Sequence, residues 1–182
     1  MKSFLIFLLC FLTVSSAITE NMKKVYKYLI DHGYTKEGAA GLIGNLKAES
    51  GVRPDILEKS KQSKLGMNSE EYIRRVNDGS YTNFVHDKAG FGLAQWTYYS
   101  RKQGLYNTCK KNSPHNIGDL HCQANYVVTE LRTENGKLYN ALTKDGDLYT
   151  LTSRVCKEYE RPAVNNVDTR YSYAKKWYDR YK

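Results

Sequence analysis

The segment GYTKEGAAGLIGNLKAESGV, residues 33–52, carries glycines at 38, 41 and 44 inside what otherwise reads as a helix. Each interior glycine costs about 1 kcal/mol relative to alanine. Gly41 and Gly44, three apart, lie within a third of a turn of each other and leave a smooth groove. Any fold that tolerates them sets another helix or a stretch of backbone into that groove. Thr35 is placed to cap the helix and Gly51 to end it.

The same helix carries a carboxylate, Glu49, in its last turn. At 100° per residue, Leu42 and Leu46 share its face. Partial desolvation on that face disfavours the charged form, and so does the negative end of the helix dipole. Both favour a proton held near neutral pH, the condition for a general acid. The competing reading is a solvent-facing glutamate at a frayed helix end.

Elsewhere five or six helices are expected. Residues ~20–32 place Met22, Val25, Tyr26 and Leu29 on one face. Asn68 to Asn77 is a short helix opened by Asn68 and Glu71, a relative of the capping box. Thr97 or Ser100 opens another, running to about Lys111 before Pro114. Ile117, Leu120, Ala124, Val127 and Leu131 form the strongest helical stripe. Asp147 starts a helix carrying Leu148, Leu151, Val155 and Tyr159, which Pro162 ends. Asp168 starts the last, with Tyr171, Ala174, Tyr178 and Tyr181 on one stripe. Between the third and fourth helices, SYTNFVHDKAGFGLAQWT (80–97) has two glycines, alternating aromatics and no stripe. It reads as extended, a small hairpin or loop. The fold class is therefore mainly α, with a small β or irregular element.

The chain begins MKSFLIFLLCFLTVSSA. One lysine, a short apolar run and small residues at 15 and 17 match a cleaved secretory signal over 1–17. The run is too short for a bilayer span, so a single domain over 18–182 and a secreted location are expected. Lys+Arg number 28 and Asp+Glu 19, a formal charge of +9, of which the signal holds only Lys2. Such a charge suits an anionic partner, whether bacterial envelope, nucleic acid or acidic glycan. Outside the signal lie Cys109, Cys122 and Cys156, an odd number that permits one internal bridge. Cys109 and Cys122 flank a helix break and are the preferred pair, with Cys156 able to replace either. There is no CxxC, no HExxH and no ligand-like pairing of histidines, so no metal and no cofactor is expected.

In GFGLAQWT, Gly90 and Gly92 flank Phe91, so the backbone can turn sharply or approach a ligand. Gln95 offers an amide, and Trp96, Tyr98 and Tyr99 offer flat faces. That mixture suits a sugar chain. The alternative is that Phe91 and Trp96 pack inward, and for Phe91 this is preferred.

GAAGLIGNLKAESGVRP, GFGLAQWTYYSRKQ, IGDL and YERPA, in that order, resemble the phage tail lysozyme-type domain, from about residue 20 to the C-terminus. The resemblance implies a lysozyme-like fold with the irregular element flanking a cleft, and cleavage of the β-1,4 bond between N-acetylmuramic acid and N-acetylglucosamine in peptidoglycan. It places the catalytic acid at Glu49 and the glycan against Asn45, Ser50, Gly92, Gln95, Trp96 and Tyr98. Glu160-Arg161-Pro162 matches the family's ERP motif, read as a buried ion pair or helix terminus rather than as chemistry. Glycosidases commonly use a second carboxylate. Asp55, Glu58 and Asp87 are available, with Asp87 preferred because it leads directly into the cleft motif. A single acid with an oriented water, or a lytic transglycosylase outcome, stays open. A non-catalytic cationic wall-binding protein is the other alternative. A nucleic-acid partner and membrane insertion are not expected, and the chain is taken as a monomer.

Overall fold

Thr35 caps the central helix as the sequence requires, its side chain accepting from Gly38 N–H. Asn68 and Asp147 do the same for two others, from Glu71 and Thr150. This computed structural model describes residues 2–111 and 115–181, with side chains from residue 16 onward. In chain order the helices are α1 (Lys2–Asp31), α2 (Lys36–Ser50), α3 (Lys59–Leu65), α4 (Ser69–Asn77), α5 (Tyr99–Lys110), α6 (Leu120–Glu134), α7 (Gly136–Leu142), α8 (Leu148–Arg154) and α9 (Val167–Tyr181), with a π-turn at Val155–Glu160 between α8 and α9.

Several boundaries differ from expectation. Helix α5 opens at Tyr99 with no side-chain cap, rather than from Thr97 or Ser100, and Pro114 lies outside the described residues. Helix α6 is capped by Asp119, which leaves Ile117 in the preceding turn. Helices α3 and α7 were not anticipated. Helix α3 buries no residue, and α7 buries only Leu138 and Leu142, so neither carries a stripe long enough to read. Residues 80–97 are irregular up to the start of α5, apart from isolated bridges of Phe91 with Leu57 and Trp96. The architecture is the mainly α, lysozyme-like one expected.

Helix α2 is the hub. Residues Gly38 to Leu46 are all buried, because α1, α7, α8, α9 and the π-turn all pack on it. A helix surrounded in this way needs no polar face. Its glycines set how close the neighbours come. A Cβ on Gly38 would stand 2.1 Å from Leu142 O, one on Gly41 3.2 Å from Thr152 N, and one on Gly44 2.4 Å from Arg170 O. The groove read from the sequence is thus filled by α9 at Gly44, and Gly41 and Gly38 serve α8 and the end of α7.

Gly44→Ala therefore pushes α9 away. Overpacking of this kind costs about 1–3 kcal/mol, more than the ~1 kcal/mol an alanine returns to the helix. The expected result is a lower midpoint in denaturant unfolding with an unchanged slope.

Cys109, in α5, is bridged to Cys122 in α6, with Cα atoms 5.5 Å apart, and Cys156 is a buried free thiol. The preferred pairing holds. Helix α1 runs upstream of the expected 20–32, through residues 2–17 as well. Ser16 and Ala17 are exposed, Ile18 is half-buried, and Met22, Val25 and Leu29 are buried. Among the described residues no helix is long and apolar enough to cross a membrane.

Candidate active site

Glu49 ends α2 just before an abrupt reversal. Gly51 at φ 68° and Val52 at φ 57° both take the left-handed conformation. For a β-branched residue that is a strained backbone. From α9, Arg170 Nη2 donates to Glu49 Oε1 at 2.6 Å, and Nη1 donates to Asn45 Oδ1 at 3.2 Å. Asn45 is held in turn, its Nδ2 donating to Gly41 O at 2.8 Å and Thr152 O at 3.1 Å. The Glu49 side chain keeps 20% of its exposure, which leaves it reachable. The carboxyl expected on the face of Leu42 and Leu46 is also clasped by an arginine, and the close α2–α9 contact at Gly44 brings that arginine there.

The glycan contacts expected on the irregular loop divide into two groups. Asn45 is fully buried and positions Arg170. Gly92, at φ 73°, is where Gln123 closes over the backbone: a Cβ there would lie 2.4 Å from Gln123 Oε1. Trp96 is fully buried and donates its indole N–H to Glu130 Oε2 at 2.9 Å. These three hold the site rather than face a ligand, because each has spent its surface on the core. Ser50 donates to Leu93 O at 2.8 Å and so ties the end of α2 to the loop. Gln95, at φ 44°, folds its amide back to Gly92 O at 3.0 Å and Ile56 O at 3.2 Å, yet stays partly exposed. Tyr98 is 74% exposed and free to meet a sugar ring.

Asp87 is corrected as second carboxylate. Its side chain is 0% exposed and ion-paired with Lys102. It accepts from Tyr72 at 2.6 Å, Tyr81 at 3.2 Å and Ala89 N–H at 2.9 Å. The proximity to GFGLAQW that suggested it reflects its work in pinning that loop to α4 and α5. Of the alternatives, Asp55 pairs with Arg53. Glu58 accepts from Ser60 and from Gly90 N–H.

A cavity of about 660 Å³ opens between α5, α6 and the π-turn, lined in part by Tyr98, Arg101, Glu130, Tyr159, Glu160 and Arg161. Its floor is Glu130, which accepts from Arg101 Nε at 2.7 Å, Trp96 Nε1 at 2.9 Å and Tyr159 Oη at 2.7 Å. Burial pushes this carboxyl up, but Arg101 and the Trp96 and Tyr159 donors outweigh burial and hold it below the usual range. A second cavity, about 510 Å³ between α1 and α6, contains none of the expected site residues. Among the described residues no cluster of three His, Cys, Asp or Glu side chains could hold a metal ion.

Glu160, read from the sequence as a buried ion pair or helix terminus, is set apart by its surroundings. It ends the π-turn, an element often found at functional positions, and is followed by Arg161 at φ 50°. The residue as a whole keeps some exposure, but its Oε1 is buried without a hydrogen-bond partner. Burial first, and then the charge of Glu49, push its carboxyl well above the ordinary value, with Arg101 and Arg170 pulling the other way. Glu160 also lines the 660 Å³ cavity. Among the described residues the non-glycine positions at positive φ are Val52, Lys88, Gln95 and Arg161. Val52 lies three residues after Glu49, Lys88 and Gln95 lie in the 80–97 loop, and Arg161 follows Glu160; strain concentrated in this way is typical of a functional site.

This helical domain, with an arginine-clasped glutamate at the end of its buried central helix, belongs to the phage tail lysozyme family, whose model matches residues 20–181. Membership supports a peptidoglycan-degrading glycosidase in general terms. Morphogenesis protein 1 of Bacillus phage B103 is 24% identical over 166 residues, which is 88% of this chain and 39% of that protein. The chain thus spans about two-fifths of that relative's length.

Proposed function

We propose that the chain is a secreted muramidase that cleaves the β-1,4 bond between N-acetylmuramic acid and N-acetylglucosamine, with Glu49 protonating the leaving oxygen. The observation that carries this is the Glu49 clasp: a reachable carboxyl, fixed by Arg170 and Asn45, at the tip of a helix locked on all sides. A general acid must be held in place before it can be useful. The exposed Tyr98 ring beside the 660 Å³ cavity supplies a stacking face for the glycan. Secretion rests on the signal-like sequence of residues 1–17.

Digestion of purified peptidoglycan with mass analysis of the soluble fragments tests the reading. Fragments with a hydrated muramic acid at the reducing end are expected. A 1,6-anhydro end makes the chain a lytic transglycosylase, an outcome that Asp87's burial keeps in play because it removes the preferred water-activating carboxylate. A glucosamine reducing end, or no soluble fragment, overturns the assignment of the bond.

With the signal and its Lys2 removed, the charge falls from +9 to 27 − 19 = +8, which would concentrate the enzyme on a wall rich in carboxylates and phosphates, an attraction that salt screens. Turbidity clearing should therefore slow several-fold between low ionic strength and about 0.5 M salt, where the Debye length shrinks to a few ångströms. An unchanged rate would remove charge from the account.

A further inference from the structure

We propose that Lys59, Lys61 and Lys64 of α3, with Lys88 of the 80–97 loop, form a basic rim on the cleft that holds the carboxylates of peptidoglycan stem peptides. The proposal rests on the muramidase reading given above and names what that site grips beyond the sugar chain. Residues 56–58 lie against the loop that carries Gln95. Gln95 Nε2 donates to Ile56 O at 3.2 Å, Gly92 N–H donates to the same oxygen at 3.0 Å, and Leu57 bridges Phe91. Glu58 and Gly90 bond twice, Glu58 N–H to Gly90 O at 2.8 Å and Gly90 N–H to Glu58 Oε2 at 3.0 Å. Lys59 follows Glu58 directly and Lys88 stands two residues before Gly90, so this pair of bonds brings both lysines to one edge. Ser50 Oγ donates to Leu93 O at 2.8 Å, which ties the same loop to the residue after Glu49.

Helix α3 adds little to the core. Its sequence, KSKQSKL, holds three lysines and no acid, and it buries no residue; Leu65 alone leans on the hydrophobic cluster. Seven residues are too few for a helix to persist on propensity, and Lys61 and Lys64, three apart, repel. Specific bonds hold it instead. Gly66, at φ 65°, caps it on Gln62 O and Ser63 O, and Gln62 Nε2 donates to Leu57 O at 3.2 Å. Lys88 is also held at a cost, at φ 55°, a conformation that glycine takes freely. Lys59, Lys64 and Lys88 are exposed and Lys61 is half-buried. Among the described residues none of the four is in an ion pair. The neighbouring acids are committed elsewhere. Glu58 accepts from Ser60 and Gly90, Glu71 pairs with Arg74 and Arg75, and Glu70 complements the dipole of α4 from its first turn.

Charge complementarity selects the occupant. In an intact strand each muramic acid carboxyl is tied up in the amide to its peptide, so the free anions of the strand are the stem-peptide carboxylates. Those peptides project from every second sugar, beside the bond that Glu49 is read to cleave. Lysine, a point charge on a flexible stem, suits anions whose positions vary along the strand. Four unpaired ammonium groups at one edge of the loop concentrate such a polyanion at the cleft. The rim thereby favours a peptide-bearing strand over an uncharged one.

The test uses purified peptidoglycan stripped of its phosphate polymers, and the same material with its carboxyls converted to neutral methylamides. Cosedimentation and lysis are measured for wild type, for the triple variant Lys59→Gln, Lys61→Gln, Lys64→Gln, and for Lys88→Gly, with cosedimentation repeated for each in a Glu49→Gln background. On the unmodified material at low salt the triple variant should bind and lyse about 10-fold less, and Lys88→Gly several-fold less. On the methylamide both should match wild type. The triple variant should melt with wild type, because α3 buries no residue. Lys88→Gly should melt at the same temperature or higher, because glycine relieves the left-handed backbone, so its loss of lysis has no folding explanation; it decides alone if the triple variant melts lower. Equal losses on both materials, no loss on either, or a loss confined to walls that keep their phosphate polymers each overturn the rim. Lysis by Glu49→Gln overturns instead the reading of Glu49. Binding measured in that background still decides the rim, so the two failures are distinguishable.

Discussion

Glu49→Gln should lose turbidity-clearing activity by roughly 100- to 10,000-fold, the range a positioned general acid contributes, and should still fold and bind the wall. The amide preserves the shape of the side chain and an oxygen that can accept from Arg170 Nη2, now 2.6 Å from Glu49 Oε1. What it removes is the transferable proton. Wall binding rests on the basic surface and on the exposed Tyr98, neither of which the substitution touches. Cosedimentation with peptidoglycan and a thermal melt, run beside the activity assay, separate lost chemistry from lost fold. A non-catalytic wall-binding protein would show no difference between the two proteins in any of these assays.

Asp87→Ala should produce the largest loss of stability. Lys102 is fully buried, and its ammonium is pushed down by burial while Asp87 opposes that push. With Asp87 gone, only Tyr72 Oη and Ala89 O, each 2.9 Å away, remain to receive it. Breaking a buried pair in this way costs about 3–5 kcal/mol. For a chain of 182 residues each kcal/mol shifts Tm by about 2–4 °C, so the drop should be on the order of 10 °C. Lysis per folded molecule, measured well below that melt, should stay within a few-fold of wild type. A catalytic Asp87 would show the reverse, a modest change in Tm and a large loss of rate.

These two aspects of the molecule were unequally legible in the sequence. Glu49 was singled out by helical phase, and the glycines at 41 and 44 announced a close contact, because both facts are local to one helix. The identity of the partner filling Gly44, the backbone of Arg170 in α9, depends on residues more than a hundred positions away. No periodicity reports that, so the arginine clasp went unseen. Trp96 and Gly92 illustrate the opposite error. Aromatic and glycine residues beside a cleft motif suit a sugar, but Glu130 and Gln123, both buried on α6, claim them for the core. Asp87 was misjudged for the same reason, since nothing near it in sequence reveals that Lys102 is buried against it. Glu160 lay inside a motif already noticed. The π-turn that it ends has no sequence pattern comparable to a helix stripe.

The central claim is that a glycan lies with its scissile oxygen against Glu49. The most direct measurement is a crystal structure of Glu49→Gln with a bound peptidoglycan tetrasaccharide. The account predicts the glycosidic oxygen within about 2.6–3.2 Å of the residue 49 amide, with a sugar ring against Tyr98. A saccharide bound elsewhere on the molecule, with the residue 49 side chain facing bulk water, would contradict it.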